Sequence, residues 1–141
     1  MKKFVFTLMI ALQGALFLPA AQAMDMKTNP KAVLELFTSQ GCSSCPPADA
    51  ALREWSEQDD LITIAYHVDY WNYIGWEDVF SAPKYSKLQR AYAKSFGSER
   101  VYTPQLIVNG EKDAVGSRRG DVQKLVAAAD LHVGVDLKLQ D

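Results

Sequence analysis

The chain has 141 residues, 48% hydrophobic and 23% charged, with a formal net charge of −2. That length suits one ordinary domain, and that composition supports a packed core rather than a disordered chain. With no basic excess there is nothing to hold a phosphate backbone, so no nucleic-acid partner is expected.

The first segment reads as a targeting signal. Lys2 and Lys3 precede an uncharged apolar run from Phe4 to Leu18, Pro19 breaks it, and Ala21-Gln22-Ala23 forms a small-x-small cleavage site. The run falls short of the ~20 residues that span a bilayer, so residues 1–23 are expected to be a cleaved signal peptide that leaves no stable membrane anchor. The predicted location is periplasmic or secreted. Without Lys2 and Lys3, 13 basic residues face 17 acidic ones.

Residues 24–32 form a polar lead-in without period. Val33 to Phe37 reads as a short buried strand, and Thr38 to Gly41 turns out of it. Ala48, Ala51, Leu52 and Trp55 recur at helical spacing, and Asp59-Asp60 ends that helix. Leu61 to Val68 is a second strand, rich in β-branched and aromatic residues. Asp69 to Phe80 is aromatic and irregular. Ser81 is placed to cap the next helix, with Pro83 in its first turn and Tyr85, Leu88, Tyr92 and Phe96 on one face. Gly97 supplies a stop. Gln105 to Val108 is a third strand, Asn109-Gly110 a two-residue hairpin signal, and Glu111 to Val115 the returning strand. A last helix begins at Asp121, with Val122, Leu125, Val126 and Ala129 on one side. The order β-α-β-α-β-β-α predicts an α/β fold over residues 33–130. Its two early strands should pair in parallel and its late strands as an antiparallel hairpin. Residues 131–141 form a tail in which His132 to Leu139 alternates like a further strand.

The chemistry concentrates at Gly41-Cys42-Ser43-Ser44-Cys45-Pro46-Pro47, between a buried strand and a helix. A helix start offers unpaired N–H groups and a positive dipole end, which favour a thiolate, the reactive form. Cys42 is expected to be the exposed nucleophile. Cys45 is expected about one turn inside, as the thiol that resolves a mixed disulfide. A bridge over two intervening residues restrains the unfolded chain little, so stability alone is a weak reason for the pair. The alternatives are an inert disulfide or part of a metal site, although a zinc site wants about four Cys or His ligands. The chain offers only these two cysteines with His67 and His132. Val101-Tyr102-Thr103-Pro104 opens the third strand. X-Pro is where a cis peptide bond occurs, and Thr103–Pro104 is expected to be cis beside the cysteines. The Thr103 backbone would there position an extended substrate. An ordinary turn proline is the other possibility.

Taken together, these features resemble the thioredoxin superfamily. More narrowly, the run from Leu34 to Asp49 resembles the signature of domain-of-unknown-function family 1223 (DUF1223). So do His67-Val68-Asp69-Tyr70-Trp71 with Tyr73-Ile74-Gly75-Trp76, and Val101 to Gln105 with Val108-Asn109-Gly110. The resemblance implies a secreted thioredoxin-like fold without an established substrate. In two respects the chain departs from its models. Gly41 stands where thioredoxins carry an aromatic residue. DUF1223 relatives also continue into a β-rich region, of which residues 131–141 would be the first strand.

Thioredoxins use a buried acid to take a proton from the second cysteine. Glu35 is the nearest counterpart, one residue further out, which in a regular strand turns it to the other face. It is therefore either a proton relay or a hydrogen-bonded structural group. His67 and Asp69 share a strand face by alternation, as a proton relay, a metal-site contribution or a structural His–Asp pair. Ten aromatics lie between Tyr66 and Tyr102, and Trp71, Tyr73 and Trp76 follow no helical or strand period. These three are candidates for a substrate groove.

The leading function is a secreted thiol–disulfide oxidoreductase acting on protein or small-molecule thiols and disulfides. No cofactor is expected, because the electrons reside in the cysteine pair. The alternatives are a non-catalytic binding module with a structural disulfide and, less favoured, a copper- or zinc-handling protein using Cys42, Cys45 and His67.

Overall fold

The computed structural model describes residues 30–130. The signal peptide assigned to residues 1–23, most of the lead-in and the tail at 131–141 lie outside the described residues.

The chain order is β1 (Ala32–Thr38), α1 (Pro46–Ser56), β2 (Leu61–His67), α2 (Pro83–Ser95), β3 (Gln105–Val108), β4 (Lys112–Val115) and α3 (Arg119–Ala128), with a short 3-10 helix at Asn72–Ile74. The sheet runs β2-β1-β3-β4. β1 pairs with β2 in parallel and with β3 antiparallel, and β3 with β4 antiparallel, as the connections predicted.

The pleat of β1 sorts the core into two layers, because successive side chains leave a strand on opposite faces. Leu34 and Leu36 are fully buried beside Ala48, Ala51, Leu52 and Trp55 of α1 and Val122 of α3. Leu125, Val126 and Ala129 pack against the same cluster, so the apolar stripe read from the sequence is the buried one. Phe37 instead joins Val68 and Ile107 on the face covered by Leu88, Tyr92 and Phe96 of α2. Its ring centroid lies 5.2 Å from Tyr66 and 6.1 Å from Tyr92.

Several boundaries differ from the expectation, and α3 begins at Arg119 rather than at Asp121. Ala82, not Ser81, is the N-cap of α2, and no side chain caps it. The Ser81 hydroxyl instead accepts the Asn72 side-chain amide at 3.0 Å. The hairpin connection is longer than two residues, since Val108 pairs with Lys112 and leaves Glu111 in the turn. Asn109 and Gly110 do take the positive φ values (53° and 70°) of a mirror-type turn. The Asn109 side chain also accepts the Val33 N–H at 2.8 Å, which ties the hairpin to β1.

Gly116 lies where three elements meet. A Cβ there would stand 2.9 Å from Leu36 Cδ1 and 3.0 Å from Ala48 Cβ, and its own N–H donates to the Pro104 carbonyl at 3.0 Å. Gly116→Ala should therefore destabilise the fold by about 1–3 kcal/mol through overpacking. Gly120→Ala, in the first turn of α3 with nothing within 4 Å of the added carbon, should gain about 0.4–1 kcal/mol by narrowing the freedom of the unfolded chain. Urea titration of both variants checks the opposite signs.

Candidate active site

Three chain segments converge at one end of the sheet. The cysteine loop leaves the C-terminal end of β1, the aromatic segment leaves the C-terminal end of β2, and Thr103-Pro104 enters β3 beside them. The register enforces this meeting, with Thr38 opposite His67 and Phe37 opposite Gln105.

Cys42 and Cys45 form a disulfide with their Cα atoms 5.4 Å apart. The turn is closed by Cys42 N–H donating to the Ser39 carbonyl and Cys45 N–H to the Cys42 carbonyl, each at 3.1 Å. Helix α1 starts later than expected. Cys45 is its N-cap rather than an interior residue, Pro46 and Pro47 occupy the first turn, and Cys42 lies wholly in the preceding turn. The Cys45 carbonyl takes the N–H groups of Ala48 and Asp49.

Cys42 is only 2% exposed and Cys45 fully buried, which corrects the expectation of an exposed nucleophile. The aromatic segment folds against the loop. A Cβ on Gly41 would lie 3.1 Å from Trp71 Cβ and 3.2 Å from Ile74 Cδ1. Trp71 and Ile74 thus fill the space beside the position where thioredoxins carry an aromatic side chain, and glycine permits the close approach.

Thr103–Pro104 is cis, as expected, and beside the cysteines. The Thr103 hydroxyl donates to Cys42 Sγ at 3.3 Å and accepts the Trp71 indole N–H at 2.9 Å. Ser44 Oγ lies 3.5 Å from the same sulfur. Of the expected groove residues, Trp71 is half-buried and tied to Thr103, whereas Tyr73 and Trp76 are 80% and 60% exposed. Ile74, Val79 and Phe80 are exposed beside them in sequence.

The anticipated relay residues separate. Glu35 accepts the hydroxyls of Tyr66 (3.1 Å) and Tyr92 (2.6 Å) and is nearly buried. Both tyrosines lie in the α2-side layer, on the opposite face from α1. Burial first, and then the neighbouring Glu35 carboxylate, pushes both phenols above their ordinary range. His67 and Asp69 do not pair with each other. Strand β2 ends at His67, so the alternation that would align them stops there. His67 Nδ1 instead meets Asp78 Oδ2 at 2.6 Å, and Asp69 accepts the Ser86 hydroxyl while its own N–H donates to that oxygen at 3.1 Å.

Asp78 is the residue that sequence reasoning missed. It is 1% exposed and accepts the Gln40 N–H at 2.8 Å and the Phe80 N–H at 3.0 Å in addition to its contact with His67. Asn72 accepts the Asp78 N–H at 3.2 Å, and Trp76 donates its indole N–H to Gln40 at 3.1 Å. Asp78 therefore joins the aromatic segment to the residue two before Cys42. Gln89 was also overlooked. It is fully buried, donates to the Tyr102 carbonyl and to Gln105, and accepts the Tyr70 hydroxyl. A polar residue between Leu88 and Tyr92 on the inward face of a helix was its legible signal.

Among the described residues, no group of three or more His, Cys, Asp or Glu side chains is arranged to hold a metal ion. An open groove of about 460 Å³ lies between α1 and β2, with Leu52, Arg53, Thr63 and His67 among its walls. Among the described residues, no helix is long and apolar enough to cross a membrane.

The sheet order, the disulfide ahead of α1 and the cis-proline facing it define a thioredoxin-like, disulfide-bearing module. The chain belongs to the family described as "Protein of unknown function (DUF1223)", whose model matches residues 33–140. A crystal structure of a protein from Agrobacterium tumefaciens is similar to it, with 44% identity and a TM-score of 0.68. That match covers 71% of this chain and 45% of the other, so this chain spans less than half the length of that relative. A thioredoxin from Wuchereria bancrofti is a distant neighbour, at 22% identity and a TM-score of 0.41 over 74% of this chain and 86% of the other. Among curated proteins there is no match.

Asp78 supplies a pH test. Burial pulls its carboxyl upward, but the Gln40 N–H, His67 and the Phe80 N–H outweigh this and hold it below the ordinary 3.8. A depressed folded value contributes stability that is complete above the unfolded value and lost as pH falls through the folded one. Asp78→Asn should therefore cost about 1–3 kcal/mol near neutral pH, with a gap from wild type that narrows below about pH 4. Urea midpoints measured from neutral to acid pH check this.

Proposed function

We propose that this chain is an exported thiol–disulfide oxidoreductase acting on polypeptide or small-molecule thiols and disulfides. The observation that carries this reading is the Cys42 sulfur facing the cis-proline turn, 3.3 Å from the Thr103 hydroxyl. In the reducing direction, the Cys42 thiolate attacks one sulfur of a substrate disulfide and releases the other as a thiolate. Cys45, deprotonated, then attacks the Cys42 sulfur, closes the Cys42–Cys45 bond and releases the second substrate thiolate. Two electrons pass from the cysteine pair to the substrate, and the reverse sequence oxidises a dithiol. No further cofactor takes part. Pro104 and the Thr103 backbone align the partner, and exposed Tyr73, Trp76 and Phe80 offer apolar contacts to a polypeptide substrate. The leader pattern of residues 1–23 supports export to the periplasm or beyond, where a disulfide persists.

The burial of Cys42 favours a second reading, a binding module whose disulfide is structural. The two make different predictions. For an oxidoreductase, Cys45→Ser accumulates mixed disulfides through Cys42, visible on non-reducing gels and absent in Cys42→Ser. The intact protein also accelerates insulin reduction by dithiothreitol, and either cysteine variant removes that acceleration. A binding module gives no trapped species, and its partner binding survives in the Cys42→Ser, Cys45→Ser double variant.

A further inference from the structure

The elements around Cys42 lack the usual means of stabilising a thiolate. A low thiol ionisation point ordinarily comes from a helix N-terminus or a neighbouring cation. Here Pro46 and Pro47 remove two first-turn N–H groups of α1, and the next two, on Ala48 and Asp49, are taken by the Cys45 carbonyl. No Lys or Arg occurs in residues 38–49, 67–82 or 101–104, the segments that build the site. The ionisable groups there are committed elsewhere. Asp78 binds His67 and the Gln40 N–H, Asp49 accepts the Thr38 hydroxyl, Asp69 binds Ser86 and Tyr102 donates to Asp113. Tyr70 donates to Gln89, while Tyr73 and Glu77 are exposed. The carboxylates on these segments carry the same charge as a thiolate and would oppose its formation.

Besides the Ser44 hydroxyl, at 3.5 Å, one neutral chain of donors ends on the sulfur at shorter range. The Trp71 indole N–H donates to Thr103 Oγ1 at 2.9 Å, and the Thr103 hydroxyl donates to Cys42 Sγ at 3.3 Å. Indole nitrogen is a donor only, so the direction of the first bond is fixed, and it leaves the single Thr103 proton to point onward. A hydroxyl that accepts one hydrogen bond donates a stronger one. We propose that Trp71 and Thr103 form a polarised relay that holds reduced Cys42 as its thiolate, with Thr103 as the direct donor and Trp71 as the positioning residue behind it. The Tyr70 phenol, itself donating to Gln89, is the other group that could draw on the Thr103 proton. An anionic sulfur competes for that proton better than a neutral phenol. Thr103 thereby gains a role beyond its backbone, and Trp71 one beyond packing.

The relay rests on Cys42 being the nucleophile, but it is testable without any substrate. The full chain carrying Cys45→Ser leaves Cys42 as the lone thiol. Its ionisation is followed by ultraviolet thiolate absorbance and by alkylation rate against pH. Adding Thr103→Val, which keeps the shape and removes the donor, should raise the midpoint by about one to two pH units, the size of a hydrogen bond to a charged group. Thr103→Ser should restore most of that shift. Trp71→Phe should raise the midpoint by a smaller amount, with circular dichroism reporting a retained fold. A midpoint unchanged in Thr103→Val, or moved equally by Thr103→Ser, overturns the relay. A shift in Thr103→Val with none in Trp71→Phe overturns the part given to the indole. If Thr103→Val moves the midpoint while the intact protein never reduces insulin, the oxidoreductase reading fails and the relay stands. If insulin is reduced and the midpoint does not move, only the relay fails.

Discussion

Strand β1 carries ladders on both edges, parallel to β2 and antiparallel to β3, and those two pairings determine what meets at the cysteines. A parallel neighbour ends at the same end of the sheet, and an antiparallel neighbour begins there. The loop after β1, the aromatic segment after β2 and the Thr103-Pro104 turn before β3 are consequently brought to one place. A one-residue slip in either ladder would turn the side chains packed in each layer to the opposite face, so the apolar layers on both sides also hold the register of the site. Leu34 and Leu36 fix one face, and Phe37 the other.

Within that frame the site is covered and almost free of cations. Gly41 lets Trp71 and Ile74 close over the loop, and the buried Asp78 carboxylate ties the same segment to Gln40 and His67. The sulfur that faces the cis-proline is thus shielded by a segment held through polar contacts and through Tyr70 and Trp71 packed against the Phe37 layer. Tyr73, Trp76, Val79 and Phe80 of that segment remain exposed. The same arrangement serves catalysis if the segment yields to a substrate, and binding if it does not.

Much of the fold was legible because its signals are local. The buried runs at Val33–Phe37 and Leu61–Val68, the Asn109-Gly110 turn and the stripes at Ala48–Trp55 and Val122–Ala129 follow strand or helix periods and recur as elements. The cysteine pair and the Thr103–Pro104 bond were legible as motifs. Apart from Gln89, what escaped centres on residues 69–82, where no period constrains the side chains. His67 was matched to Asp69 by alternation, yet β2 ends before that rule can act, and Asp78, eleven residues on, takes the imidazole. The Ser81 hydroxyl was assigned to a cap but is occupied by Asn72. Trp71 could be counted as aromatic, while its bond to Thr103 spans 32 residues and depends on the tertiary fold.

In the proposed function the Cys42–Cys45 bond is a working redox couple rather than a staple. Its standard reduction potential, obtained by equilibrating the protein with glutathione buffers and quantifying the two states by mass, tests this most directly. A working couple should give a value within the span of exchange proteins, about −270 to −120 mV. A value below about −300 mV, typical of structural disulfides, would contradict it.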